Sequence, residues 1–475
     1  MKGTSMWVCR AAYALLPVLL SAPLSPLAKA QQDIGLQMPA GVAPSTESLP
    51  TPLPQVAMDS GLSLRELEQM ALAGNPSLRR AAALVAAARG NALQVGLPPN
   101  PGIGYEGQQL GSGGLAEQQG VLFSQEIVRG GKLRLNRAVA DRERVRLEQE
   151  FAAQEQRVLT DVRIAFYEVL LARRQIDLTN ELIRISRGGA EAVDALFRAN
   201  EVGRADVLQA QLETETSQIL AQNALHRHDS AWRSLAAIVG DPGLPSQPLN
   251  GDAAGPAKDF NFQDALARLL TQSPEIGSAS VAVDRARLAL ERERVEPISN
   301  VDVQGIVNVI DNGIGGGPDG GIAVSIPIPV FNRNQGGVAR AYHELKAARE
   351  ALTQLELALQ NRLAPVFEQH ANARNQVERY HEIILPAAEE ALELTQKMYG
   401  AGETNYTTLL TAQRTYSQTH LNYLDAVRSL RIAEVQIDGL LLSGSLDGAG
   451  APAGGVEAAT DGQFAPVGTI GLMPR

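Results

Sequence analysis

The 475-residue chain has a single cysteine, Cys9, which excludes a disulfide framework and a thiolate metal site. After residue 30 it has no run of about 18 apolar residues, so no membrane helix is expected there. Positive charge is also short: the formal balance is −10, which argues against a nucleic-acid partner. Nucleophile elbows and phosphate loops are missing. Gly102-Ile-Gly-Tyr-Glu-Gly107 matches G-x-G-x-x-G in letters, but it follows Pro98-Pro-Asn-Pro101 and leads into strand-like sequence, so its context fails. His226 and His228 are two apart on a helical stretch and face different ways, unlike i, i+4 chelating pairs. No cofactor or metal site is expected, and nothing points to an enzyme.

The first 30 residues carry Lys2 and Arg10, an apolar stretch from Ala11 to Leu24, and Ala28-Lys-Ala30. This matches a secretory signal peptide cleaved after residue 30. Its loss would remove Lys2, Arg10 and Lys29 and take the charge from −10 to −13. Cys9 precedes the cleavage site, so it cannot become an acylated N-terminus. An exported chain without an apolar helix can cross a membrane only as a β-barrel.

What the chain does contain is a duplication. Residues Leu64–Pro76 parallel Phe262–Pro274 at an offset of 198, and the stretch from Asp206 onward parallels that from Thr408 at an offset of 202. Each half reads as short helix, helix, strand pair, very long helix, long return helix. A repeat of this size is an architectural unit used twice. We delimit a Pro-rich arm at 31–60, a first repeat at 61–250, a second repeat at 251–442 and a disordered tail at 443–475.

Strands are expected at about 102–109, 118–127, 300–310 and 320–328, the first pair joined by Gly111-Ser-Gly-Gly114. From Val301 to Ile310 apolar and polar residues alternate over the length of one tilted membrane strand. Four strands cannot close a barrel, and an open edge in lipid leaves backbone groups unsatisfied. Other copies of the chain would have to close it: two give eight strands, three give twelve and begin to leave a lumen. Two small soluble hairpins remain the alternative, which would make the protein a periplasmic coiled-coil scaffold or adaptor.

From Lys132 to about Ala199, and from about Gln335 to Tyr399, the only candidate helix stops are Gly188-Gly189 in the first and Pro365 and Pro386 in the second. At 1.5 Å per residue each stretch is about 100 Å long and must project from any compact body. In the second return helix, Leu409, Tyr416, Tyr423, Leu430 and Ile437 recur every seven residues, interleaved with Ala412, Thr419, Ala426, Ala433 and Leu440. That is a coiled-coil seam with one small row. The first return helix matches with Ala210, Ser217, Ala224, Ala231 and Ile238, with Thr214 and His228 in its companion row. Val202-Gly203 and Ala401-Gly402 are the hairpin tips.

The duplicated strand hairpins, the two tips followed by L-x-A-Q and L-T-A-Q, and the run Ser325-Ile-Pro-Ile-Pro-Val-Phe-Asn-Arg-Asn-Gln-Gly-Gly-Val-Ala-Arg-Ala341 together resemble the TolC family of outer-membrane efflux proteins. The last run is most similar to the branch serving cobalt-zinc-cadmium exporters of the resistance-nodulation-division type. The resemblance spans roughly residues 60 to 442. It implies a mainly α fold with a small β-barrel portion, in which duplicated helical hairpins from a homotrimer form a coiled-coil tunnel and four strands per chain contribute to a twelve-stranded barrel. It also implies outer-membrane lipid, a periplasmic adaptor and an inner-membrane pump as partners, with a gate at the tip. Many members carry gate aspartates where this chain has Thr408 and Thr411, so an acidic ring is not expected here. Asp206 matches an acidic tip position, and Gly203, Arg204, Tyr399, Gly402 and Glu403 complete the candidate tip. Asp206 could equally cap the helix that follows Gly203.

Overall fold

A computed structural model describes residues 61–110, 116–311 and 317–447. The expected signal peptide, the Pro-rich arm, the Gly111–Gly114 turn and the tail beyond residue 447 lie outside the described residues.

Capping chemistry sets the helix starts. A short strand, β1 (Leu62–Ser63), leads into α1 (Leu64–Gly74), where Ser63 and Glu66 form a reciprocal capping box. Asn75 is fully buried. Its side-chain Oδ1 accepts the Ser77 backbone N–H at 2.9 Å to start α2 (Pro76–Gln94), and its side-chain Nδ2 donates to Ile238 O at 2.7 Å. The second repeat reuses the device: Ser273 caps at the junction of α5 (Phe262–Gln272) and α6 (Pro274–Val295), again followed by a proline at the first helical position.

β2 (Gly102–Leu110) and β3 (Ala116–Ile127) follow α2, and β5 (Val301–Asp311) and β6 (Asp319–Ser325) follow α6. They form one antiparallel sheet in the order β2-β3-β5-β6, joined between the repeats by β3 and β5. The strand expected at 320–328 stops at Ser325, because Pro327 and Pro329 cannot donate to a ladder. A bulge near Val309 interrupts the β3–β5 register. The register puts Ile103, Tyr105, Phe123, Val307, Ile322 and Val324 on one face, where they are between 52% and 84% exposed. The other face carries Glu106, Ser124, Glu126, Asp302, Gln304 and Asn308. β2 and β6 are the free edges.

The first outgoing helix, α3 (Lys132–Arg198), runs unbroken through the candidate stop at Gly188-Gly189, as one very long helix. Its return is α4 (Arg204–Val239), after which β4 (Leu249–Asn250) pairs in parallel with β1. The second outgoing stretch is α7 (Gln335–Arg379), a π-helical turn at Tyr380–Ile384, then α8 (Leu385–Gly400), returning as α9 (Tyr406–Asp438). Pro365 is absorbed within α7. Pro386 lacks an amide proton, and just before it the Leu385 N–H reaches back to Tyr380 O, which widens the turn.

α1, α2, α3 and α4 enclose Leu67, Val158, Val162, Trp232 and Leu235, while α5, α7 and α9 enclose Leu269, Leu359, Leu363 and Ile437. Along α9 the seam is buried at Leu409, Tyr416, Leu430 and Ile437, with Thr419, Ala426 and Ala433 between them. Tyr423 is half-buried, and Leu440 falls beyond the helix at positive φ, so the seam ends one step early. On α4, Ala231 and Ile238 are also only half-buried.

The segment between the repeats is clamped onto α9. Arg431, 5% exposed, donates to Ala253 O at 2.9 Å and to Glu434 at 2.6 Å, and Glu434 accepts the Lys258 amide at 2.7 Å. Residues 443–447, expected as the start of a loose tail, are instead held: Gly444 and Ser445 amides donate to the Asp161 carboxylate at 3.0 and 2.6 Å. Breaking one partner of a buried pair strands the other charge. Glu434→Ala is expected to cost about 3–5 kcal/mol, and Arg431→Met with Glu434→Leu together less than that. Thermal unfolding in detergent followed by circular dichroism measures both.

Candidate functional site: the hairpin tip

Each hairpin turns over a few residues. The α3–α4 turn spans 199–203, and the α8–α9 turn spans 401–405 with Gly402 at φ +75°. The two return helices start differently. At α4, Gly203 has no side chain, and Asp206 supplies the cap, its Oδ2 accepting the Gly203 N–H at 3.1 Å. At α9 the equivalent position is Asn405, whose Oδ1 accepts both the Thr408 amide and the Thr408 hydroxyl at 2.9 Å. An acid at the third helical position serves the cap at α4, whereas Asn405 caps α9 without one.

The two tips share one apolar cluster. Leu182 and Val193 of α3, Val207 and Ala210 of α4, Leu392 and Tyr399 of α8, and Tyr406, Leu409, Leu410 and Tyr416 of α9 are all buried in it. Tyr399 and Tyr406 meet edge-to-face with ring centroids 6.0 Å apart. Burial, with Asp206 adding to it, raises the Tyr399 phenol, whose hydroxyl has no hydrogen-bond partner among the described residues. Burial pushes Tyr406 up to about 12, helped by Glu213, and Tyr416 up to about 12, helped by Glu181.

The tip residues anticipated from sequence are only partly brought together. Asp206 and Tyr399 lie in one neighbourhood. Arg204 and Glu403 are exposed and form no ion pair among the described residues, so the polar network anticipated from Arg204, Asp206, Tyr399 and Glu403 is not formed within the chain. Two ion pairs among the described residues do cross between the hairpins, Arg414 on α9 with Glu213 on α4 at 3.0 Å and, farther from the tips, Arg428 on α9 with Glu168 on α3 at 2.6 Å. Thr408 and Thr411 are exposed and line an open groove with Thr415 of α9 and Ala388, Ala391 and Thr395 of α8.

Other tip features lay outside the sequence reading. Gln413 is 5% exposed, and a Cβ on Gly189 would stand 3.1 Å from its Nε2. Gly189 therefore leaves room for the Gln413 side chain, whereas a Cβ on Gly188 would meet nothing within 4 Å; the glycine itself was the available signal. His420 packs its ring 4.3 Å from that of Tyr416, 3.5 Å from the Glu389 carboxylate, and burial lowers its pKa. No group of three or more His, Cys, Asp or Glu suited to a metal ion occurs among the described residues.

The sequence profile described as Outer membrane efflux protein matches residues 67–241 and again 265–441. The cobalt-zinc-cadmium resistance protein CzcC of Cupriavidus metallidurans is 26% identical over 432 residues, covering 88% of this chain and 96% of that protein. A solved structure of CusC superposes with a TM-score of 0.68 at 17% identity, covering 85% of this chain and 100% of that one. The outer membrane protein VceC from Vibrio cholerae superposes at 0.66 with 16% identity, covering 80% and 96%.

The raised phenols give the tip a pH signature. Below pH 10 both packed and unpacked tyrosines keep their protons. Between about 10 and 12 the unpacked form ionises while packed Tyr406 and Tyr416 do not, so tip packing weakens as pH rises through that window. The thermal unfolding midpoint is expected to fall through that window, and Tyr406→Phe with Tyr416→Phe to flatten the fall.

Proposed function

The chain belongs to the outer membrane efflux protein family, and from that premise we propose that it is the passive outer-membrane conduit of a tripartite assembly exporting metal cations. The family and the fold support the outer-membrane channel itself. The pump, the adaptor and the cargo are our extension, motivated by the similarity to a cobalt-zinc-cadmium resistance protein along nearly its whole length.

One observation carries the reading: a four-stranded sheet with one exposed apolar face and two free edges stands at the end of very long helices. In water such a face and such edges are liabilities. In a bilayer the face is an asset, and the edges must pair with other copies. Three copies give twelve strands, and six hairpins then make the tunnel wall. The apolar alternation continues past β6 through Ile326 and Ile328, 48% and 81% exposed, which supports lipid contact to the base of the sheet.

We place the gate at the tip, with Gly203, Arg204, Asp206, Tyr399, Gly402, Glu403, Thr408 and Thr411 around it. Opening would be a movement of the second hairpin. Its outgoing path is already broken by the π-helical turn, whereas α3 is continuous. A docked adaptor would bias this change, and the pump would drive flow. The groove of threonines and alanines between α8 and α9 offers no charge to repel a helix that packs there.

The processed protein is expected in the outer-membrane fraction as a trimer that survives mild detergent. Recovery as a soluble periplasmic monomer would remove the channel reading. In planar bilayers, Asp206→Ala and Gly402→Leu are each expected to raise the closed-state leak; if both leave it unchanged, the tip assignment is wrong.

A further inference from the structure

Cross-strand register assembles a row that the sequence spreads over more than 200 residues. Glu106 on β2 is opposite Gly120 on β3, Gly120 is opposite Asn308 on β5, and Asn308 is opposite Asp319 on β6. All four lie on the face away from the exposed apolar residues. Asn308 Nδ2 donates to the Asp319 carboxylate at 2.7 Å. The Asn308 side chain is 8% exposed, and its Oδ1 has no hydrogen-bond partner among the described residues. A Cβ at position 120 would stand 2.5 Å from that oxygen, so glycine is what leaves it room. On the same face, six residues along β5, Glu126 is opposite Asp302.

The four strands contain Glu106, Glu117, Glu126, Asp302, Asp311 and Asp319 and no lysine or arginine. Resting on the channel reading above, which turns the polar face toward the lumen, we propose that the barrel wall is itself the charge filter. The Glu106-Gly120-Asn308-Asp319 row, backed by Glu126 and Asp302, admits hydrated cations and turns away anions, whatever the state of the tip. The carboxylates supply the potential. The unpartnered amide oxygen adds an acceptor next to Asp319, and no base on the strands opposes them.

Magnitudes limit how strong such a filter can be. Twelve strands spaced about 4.8 Å apart and tilted about 40° give a backbone radius of roughly 12 Å. The screening length is about 30 Å at 0.01 M salt, 8 Å at 0.15 M and 3 Å at 1 M. Wall charges therefore reach the axis in dilute salt and only line the wall at high salt. Selectivity must be graded and must fade with ionic strength, unlike that of a narrow filter with dehydrated ions.

The test uses the full-length protein in planar bilayers under a KCl gradient, in the Gly402→Leu background to hold the tip leaky. The reversal potential gives the cation-to-anion permeability ratio. At low salt, Glu106→Gln, Glu126→Gln, Asp302→Asn and Asp319→Asn combined are expected to lower that ratio roughly threefold or more, with the difference gone near 1 M. Asp319→Lys alone, at an exposed position near the strand end, should lower it in the same direction. An unchanged ratio in Asp319→Lys, or in the combined variant where that assembles, overturns the proposal while the conductance itself leaves the channel reading standing. If the unsubstituted protein gives neither conductance nor an outer-membrane trimer, the channel reading fails instead.

Discussion

An unpaired β-edge in hydrocarbon leaves N–H and C=O groups without partners, at several kcal/mol each. β2 and β6 are both such edges, and most of the rest of the architecture follows from having to close them. A single repeat offers one strand hairpin, which is marginal by itself. Duplication gives two hairpins, and pairing β3 with β5 makes one sheet of them. That pairing needs the repeats to be held in register far from the sheet. α3 packs against α9, Arg431 and Glu434 clamp the connecting segment, and Arg414 reaches Glu213 near the tips. The halves are thus joined at three levels along very long helices, and only the outer edges remain for other copies.

The halves are not interchangeable. Both start with the same cap-and-proline junction, and both bury a small-residue seam. They differ where movement would be needed. α3 is a single helix of 67 residues, while its counterpart is divided by a π-helical turn next to Pro386. At the tips, Asp206 caps backward onto Gly203, whereas Asn405 caps forward onto Thr408. Threonine at position 408 therefore leaves no cap unmade, because Asn405 itself accepts its amide.

Much of this was legible in the sequence. Repeat order, the four strands of the sheet, hairpin tips and the α9 seam follow from periodicity, because each is set by local burial that recurs at fixed spacing; the two-residue strands β1 and β4 are too short to show it. What sequence could not carry was partnership across the duplication. Glycines at 188 and 189 look like a candidate helix stop, and that Gln413, more than 200 residues away, fills the space at Gly189 cannot be read from them. Arg204 and Glu403 look like a pair because both are charged and near the tips, yet the pairs that form are Glu213 with Arg414 and Glu168 with Arg428, deeper along the hairpins. The strand after Asp319 looked longer because apolar alternation continues to Ile328, but the prolines end its hydrogen bonding first. Alternation reports which face is apolar; it does not report which amides have protons to donate.

The central claim is that other copies of this chain cover both sheet edges, three in a closed ring. With Cys9 replaced by serine, the chain has no thiol. Cysteines introduced at Ile103 on β2 and Val324 on β6 then stand on the two outward-facing edges. A flexible bis-maleimide whose reach exceeds the strand spacing of about 4.8 Å, applied to intact outer membranes, should join subunits into dimers and trimers and stop there. Each single-cysteine variant should stay monomeric. Bands confined to the monomer in the double variant, or a ladder running on without limit, would contradict closure by three copies.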